Sequence, residues 1–173
     1  MFGKYRIAIL GALALAAVPA MAAPVTPSSQ AQSRALILVP LTLTKIDDLR
    51  FGTVVPSSLS GMVSINASTG ARTIAGGVTG VPSDVGQRAY FGGAGTGNQQ
   101  VIITYVQPTE LTSTTNSADK IPVLALTLDG SPIRTINPVT RTFFFGMGGI
   151  IMINADQAEG LYEANFDVTA NYQ

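Results

Sequence analysis

From Tyr162 to Tyr172 the chain alternates without a fault. Tyr162, Ala164, Phe166, Val168, Ala170 and Tyr172 fall on one side, and Glu163, Asn165, Asp167, Thr169 and Asn171 on the other. A period of two is the pleat of a β-strand, whose successive side chains point to opposite faces. One apolar and one polar face mean a sheet packed on a core on one side and wetted on the other. Burying the larger of these side chains contributes roughly 1.5–3 kcal/mol each before chain entropy is subtracted.

The same habit recurs along most of the chain. Strands are expected at Arg34–Lys45, Leu49–Val55, Met62–Asn66, Arg88–Gly92, Gln100–Val106, Pro122–Leu128, Thr142–Phe145, Gly149–Asn154 and Leu161–Tyr172. Asp129-Gly130 marks a turn, and Ser57–Ser60 and Asn116–Asp119 read as loops. Almost no segment keeps helical spacing. Many short, evenly punctuated strands imply an all-β sandwich or barrel.

The first of these strands differs from the last. Ala35, Ile37, Val39, Leu41 and Leu43 are apolar on one face, while Leu36 and Leu38 add a second apolar face that gives way to Pro40, Thr42 and Thr44. A strand apolar on both faces is normally covered on both. Pro40 lacks an N–H to donate, so it suits an edge or a break. A break there would leave Arg34–Val39 as a movable strand and Leu41–Lys45 as the first strand of the sandwich proper. The other reading, an ordinary first strand paired within its own sandwich, needs the same alternation. The residues leave both open.

Ahead of this lies an address. Lys4 and Arg6 precede the apolar run Ile7–Val18, and Ala20-Met21-Ala22 offers the small-x-small pattern of a cleavage site. The run is short of the about 20 apolar residues of a membrane span. Residues 1–22 are therefore expected to be a secretory signal, with no transmembrane segment after its removal. Residues 23–33 are expected to be a flexible leader, because they carry few large apolar groups to offset ordering entropy. Residues 34–173 are expected to form the β-sandwich domain, including the N-terminal, possible donor strand. Without Lys4 and Arg6 the cations fall from 10 to 8 against 10 acids, a net charge near −2. The remaining cations are scattered singly, and nucleic acid is not an expected partner.

Missing residue types narrow the chemistry. The chain has no His and no Cys, which removes Ser-His-Asp and Cys-His activation, the usual zinc ligand sets, thiol redox chemistry and iron–sulfur sites. Carboxylate, Lys or Tyr chemistry is what remains. Asp47-Asp48 is the only adjacent pair of acids, lacks calcium-loop spacing, and reads as two solvated turn carboxylates. Gly92–Gly97 is followed by Asn98-Gln99-Gln100 and a strand rather than by a Lys and a helix, so it reads as a flexible hairpin connection and not a nucleotide loop. No enzyme, catalytic residue, cofactor or metal is expected. Nor does the composition favour a sugar platform: Trp is absent, and Phe51, Tyr90, Phe91, Tyr105 and Phe143–Phe145 sit in strand patterns and are expected in the core.

Three motifs occur in a familiar order: Pro40-Leu41-Thr42-Leu43-Thr44-Lys45, then Leu49-Arg50-Phe51-Gly52, then Gly160-Leu161-Tyr162 opening the terminal strand, with the glycine-rich Phe145–Gly149 between. With them the chain resembles the bacterial secreted domain-of-unknown-function family four-four-zero-two over nearly all of its mature length. More distantly it is similar to spore-coat-U-type proteins and to the pilins of archaic chaperone–usher fibres. That resemblance implies an immunoglobulin-like, pilin-like antiparallel β-sandwich, left incomplete and filled by a neighbour's N-terminal extension through β-strand addition. Ala35, Ile37 and Val39 would then be the donor side chains. Partners would be other copies or related subunits, with a periplasmic chaperone and an outer-membrane usher. The location would be the periplasm and then the surface of a Gram-negative bacterium. The chain departs from such pilins in lacking a disulfide.

Two functions are thus expected to compete. One is a fimbrial subunit assembling by strand addition. The other is a self-contained periplasmic or surface binding module, an adhesin that does not polymerise. Val101–Val106, short, β-prone and uncharged, is an aggregation hazard if exposed during export, and fits a need for protection.

Overall fold

The apolar stretch Thr142–Ile153 forms the strand to which three others pair. In the computed structural model, which describes residues 30–173, it is β9 of eleven strands. The expected signal at 1–22 and residues 23–29 of the expected leader lie outside the described residues. The strands are β1 (Thr42–Asp47), β2 (Val54–Ile65), β3 (Arg72–Gly80), β4 (Ala89–Ala94), β5 (Gln100–Val106), β6 (Glu110–Ser113), β7 (Lys120–Leu128), β8 (Ile133–Thr135), β9 (Thr142–Ile153), β10 (Tyr162–Glu163) and β11 (Asp167–Tyr172). There is no helix among the described residues.

All pairings are antiparallel. One edge of β9 takes β4 along its first half and β2 along its second; the other edge takes β7. Outside these lie β1 on β4, β3 on β2, and β6 followed by β10 on β7, making a sheet of eight strands. The second sheet has only three, in the order β11-β5-β8. The core lies between them, with Val63, Phe91, Phe143, Phe145, Met147 and Ile151 from the large sheet against Val101 and Ile103 from the small one. This is the expected antiparallel β-sandwich. The chain divides by contact into Met1–Ala35 and Leu36–Gln173. In the first unit the described residues are exposed and form no strand, and Arg34 Nη2 donates to Gln32 Oε1 at 2.6 Å.

Alternation survives even where continuity does not. The expected strand Leu161–Tyr172 is two strands: Tyr162–Glu163 pairs with β6 in the large sheet, and Asp167–Tyr172 pairs with β5 in the small one. Across that change of sheet, Tyr162, Phe166, Val168, Ala170 and Tyr172 all still pack on the core. In the reverse case, the expected pair Thr142–Phe145 and Gly149–Asn154 is one strand. Its glycines do not interrupt it; they admit neighbours, since a Cβ on Gly148 would strike the Ile65 carbonyl.

Other expectations need correction. Arg34–Lys45 is not one strand: only Thr42–Asp47 pairs, and residues 34–41 form none. In place of a strand over Leu49–Val55 there is a single Arg50–Gln87 bridge before β2, because Gly52 turns the backbone to φ +75°. Ser57–Ser60 is a bulge inside β2 rather than a loop, opposing Gly77 between the Pro56–Val78 and Gly61–Gly76 pairs. The glycines after β4 lead from one sheet to the other and make no hairpin. β3, β6 and β8 carry glycines, polar residues or only three residues, and so showed no alternation. Tyr90 and Phe144 are the exceptions among the expected core aromatics. Phe143 and Phe145 are buried, which turns Phe144 outward, 51% exposed, to stack on Tyr90 at 6.0 Å. Phe145→Ala is therefore expected to cost about 3–5 kcal/mol of stability. Phe144→Ala is expected to cost about 1 kcal/mol or less. Urea denaturation of the two variants checks the difference.

Candidate functional site

The residues singled out as donor side chains lie outside every strand. Ala35, Ile37 and Val39 are exposed, Ile37 by 90%, and Leu36 beside them by 72%. Beyond Pro40 the same alternation turns inward, and Leu41 and Leu43 pack on the core. The chain thus breaks at Pro40, the first of the two readings of this segment. An extended apolar stretch stands before the break, and the sandwich begins after it. Scattered exposed apolar residues are ordinary, but a consecutive run is not.

On the sandwich itself the mismatch between eight strands and three leaves part of the core open. β11 pairs with β5 on one side only, and no strand lies beyond it among the described residues. β1 is likewise the outermost strand of the large sheet. Between these two free edges lies a hollow of about 330 Å³ lined by Leu43, Leu49, Phe91, Phe166 and Val168, with Lys45 among its lining residues. It shares Asp48, Leu49, Ala164, Asn165 and Phe166 with a larger groove of about 1020 Å³. Inward-facing residues of the large sheet, Ile121, Val123, Ile151 and Ile153, line that groove together with Phe51, Val54, Leu111 and Tyr162. The result is a trough lined by apolar side chains and polar groups together, beside a strand edge that pairs with no strand among the described residues. Its rim is polar: Lys45 Nζ and Asp48 Oδ1 meet there at 2.5 Å, both well exposed.

The stretch Leu49–Pro56, which lines the groove, is held by an arginine that alternation alone did not single out. Arg72 on β3 donates to the backbone carbonyls of Thr53 at 3.0 Å, Asp84 at 2.9 Å, Val81 at 3.0 Å and Phe51 at 3.4 Å. A planar fork of donors suits such a convergence of carbonyls. Gly52 makes it fit, because a Cβ there would sit 2.5 Å from the Asp84 carbonyl oxygen and 2.7 Å from Arg72 Nη1. Phe51 then faces the core, its ring against Gly149. The Leu49-Arg50-Phe51-Gly52 motif is thereby explained as a groove-lining element. Asp84 closes the loop: its carboxylate accepts from Thr53 Oγ1 at 2.8 Å and from the Gly86 N–H at 3.4 Å. The Thr53 hydroxyl first, and then the Gly86 amide, hold that carboxyl below its ordinary value. Their contribution to stability is present above the usual carboxylate range and fades as pH falls through the lowered value.

The remaining candidates are accounted for locally. Asp47 ends β1 and Asp48 pairs with Lys45; no group of three acids that could hold a metal occurs among the described residues. Asn66 closes a turn, its Oδ1 accepting from the Ser68 and Thr69 amides at 2.9 Å. Val101–Val106 is the central strand of the small sheet, paired on both edges. No helix among the described residues is long and apolar enough to cross a membrane.

A family model described as "Domain of unknown function (DUF4402)" matches residues 41–172, the span from the first inward leucine after Pro40 to the last residue of β11. No curated protein and no solved structure matches the chain. Arg72→Ala, which strips four carbonyls of their donor beside the groove, is expected to lower stability by about 2–3 kcal/mol. Arg72→Lys should recover only part of it. Urea midpoints at neutral pH measure both.

Proposed function

The chain belongs to the DUF4402 family, and we propose that it is a non-enzymatic exported subunit that assembles with copies of itself or related subunits by β-strand addition at the cell surface. The observation that carries this is a mismatch within one molecule. The apolar segment Leu36–Val39 joins no strand, with Leu36, Ile37 and Val39 exposed, while among the described residues no strand covers the trough beside the outer edge of β11. Each is what the other lacks. Ile37 and Val39, two residues apart, share a face of an extended strand and present the side chains that alternate pockets take. Their transfer from water contributes roughly 1.5–3 kcal/mol each. Each main-chain hydrogen bond along β11 adds about 0.5–1.5 kcal/mol.

Export is supported by the basic start, apolar run and small-x-small site of residues 1–22. The resemblance of the Leu49–Gly52 and Gly160–Tyr172 motifs to chaperone–usher pilins, read from the sequence alone, is in line with a fimbrial assembly, with a chaperone shielding the trough before it is filled. With no Cys, no disulfide staples the sandwich, which is where the chain departs from such pilins.

The test is to express the chain from Ala23 with and without Ala23–Val39 and to measure thermal stability and size. The truncated form is expected to melt early and to be rescued by a synthetic peptide of Gln32–Val39, and the longer form to associate. A longer form that is a stable monomer, with no rescue by the peptide, would falsify strand addition and leave a self-contained surface module.

A further inference from the structure

A strand tethered beside a groove that no described residue fills should fold back into it. Short flexible linkers hold their ends at effective concentrations in the millimolar range, about a thousandfold above a neighbour present at micromolar level. A subunit that donates Leu36–Val39 outward must therefore prevent that segment from folding back. We infer that Tyr172 is the positioning residue that does this. The inference rests on the strand-addition reading above.

The hydroxyl of Tyr172, at the end of β11, accepts from the Thr96 N–H at 2.8 Å and donates to the Val39 carbonyl at 2.7 Å. The Val39 N–H in turn donates to Thr96 Oγ1 at 2.8 Å. Both backbone groups of Val39 are thus bound to the body of the sandwich, while Leu36 and Ile37 stay exposed. The seat for the hydroxyl is built: a Cβ on Gly95 would lie 2.5 Å from the Tyr172 hydroxyl oxygen and 2.9 Å from Leu41 Cδ1 and Ile136 Cδ1. Only glycine leaves that space.

The latch also acts on the one place where reversal could occur. To lie along β11 of its own molecule, the segment must turn back between Val39 and Thr42. A β-turn with Pro40 at its second position uses the carbonyl of the first residue as acceptor, and that residue is Val39. Its carbonyl already accepts from the Tyr172 hydroxyl, which competes with that turn bond. Pro40 further restricts Val39 to extended backbone. With the pivot pinned, the tether no longer spans strand and groove, and the effective concentration of self-insertion collapses. The second copy of the chain then becomes the favoured recipient.

The experiment uses the full chain, exported and collected as wild type and as Tyr172→Phe, which removes only the hydroxyl. Thr96→Val is a second, independent variant that removes the other anchor of Val39. Size-exclusion chromatography with light scattering gives the monomer fraction at equal concentration. Binding of fluorescent Gln32–Val39 peptide reports whether the groove of each monomer is free. Both variants are expected to raise the monomer fraction at least tenfold, and their monomers to lose peptide binding because their own segment occupies the groove. Variants that assemble like wild type, with monomers that still bind the peptide, overturn the role of Tyr172 and leave strand addition standing. Wild-type monomers that bind no peptide defeat strand addition itself, and the latch with it.

Discussion

Everything in this sandwich is hung on the two-sided ladder of β9. It receives β4 and β2 end to end along one edge and β7 along the other, so one strand fixes the register of three neighbours. Register errors there are costly, because a slip by one residue would carry Phe143, Phe145 and Met147 to the outer face and Phe144 to the core. The glycines that follow keep the strand regular while other segments cross it: Gly148 admits the Ile65 carbonyl and Gly149 the ring of Phe51. A large sheet with a rigid centre results. The second sheet, only three strands wide, cannot cover all of it.

The open trough is a consequence of that inequality. A sheet edge left unpaired is a template for another strand, and folded proteins normally blunt such edges with charge, proline or a covering segment. β11 has little of this. Its outward-turned face carries Asp167, Thr169 and Asn171, but its backbone edge beside Phe166 and Val168 pairs with no strand among the described residues. Arg72 and Gly52 hold Leu49–Pro56 along the groove, so the groove is a shaped feature of the fold and not a loose margin.

Sequence reading succeeded where one face of a strand meets the core. The alternation of Tyr162–Tyr172 located the inward side chains correctly even though the strand changes sheets at Ala164–Phe166, because burial depends on the face and not on the pairing partner. At Pro40 it offered a break as one of two open readings, and pairing does begin only at Thr42. It failed where pairing does not need an apolar face. β3 is held between β2 and solvent with the sequence Arg-Thr-Ile-Ala-Gly-Gly-Val-Thr-Gly, and its key residue for the groove, Arg72, works through carbonyls that no sequence pattern reveals. Gly52 was visible as part of a motif, yet its reason is a left-handed turn packed against Asp84. The trough was invisible for the same cause: it lies where β11 meets no further strand among the described residues.

Tyr172 joins these two kinds of information. Its place in the alternation marks it as a core-facing residue, and its ring does pack on the core. Its hydroxyl, though, must find partners at the rim, as buried tyrosines generally do. It finds them in Thr96 and Val39, residues 76 and 133 positions away in the chain. A phenylalanine would serve the core equally well. What the hydroxyl adds is a fixed point of departure for the apolar segment, on the strand whose free edge that segment would otherwise cover. The last residue of β11 thus ties the sandwich's unpaired edge to the direction in which its unpaired strand leaves.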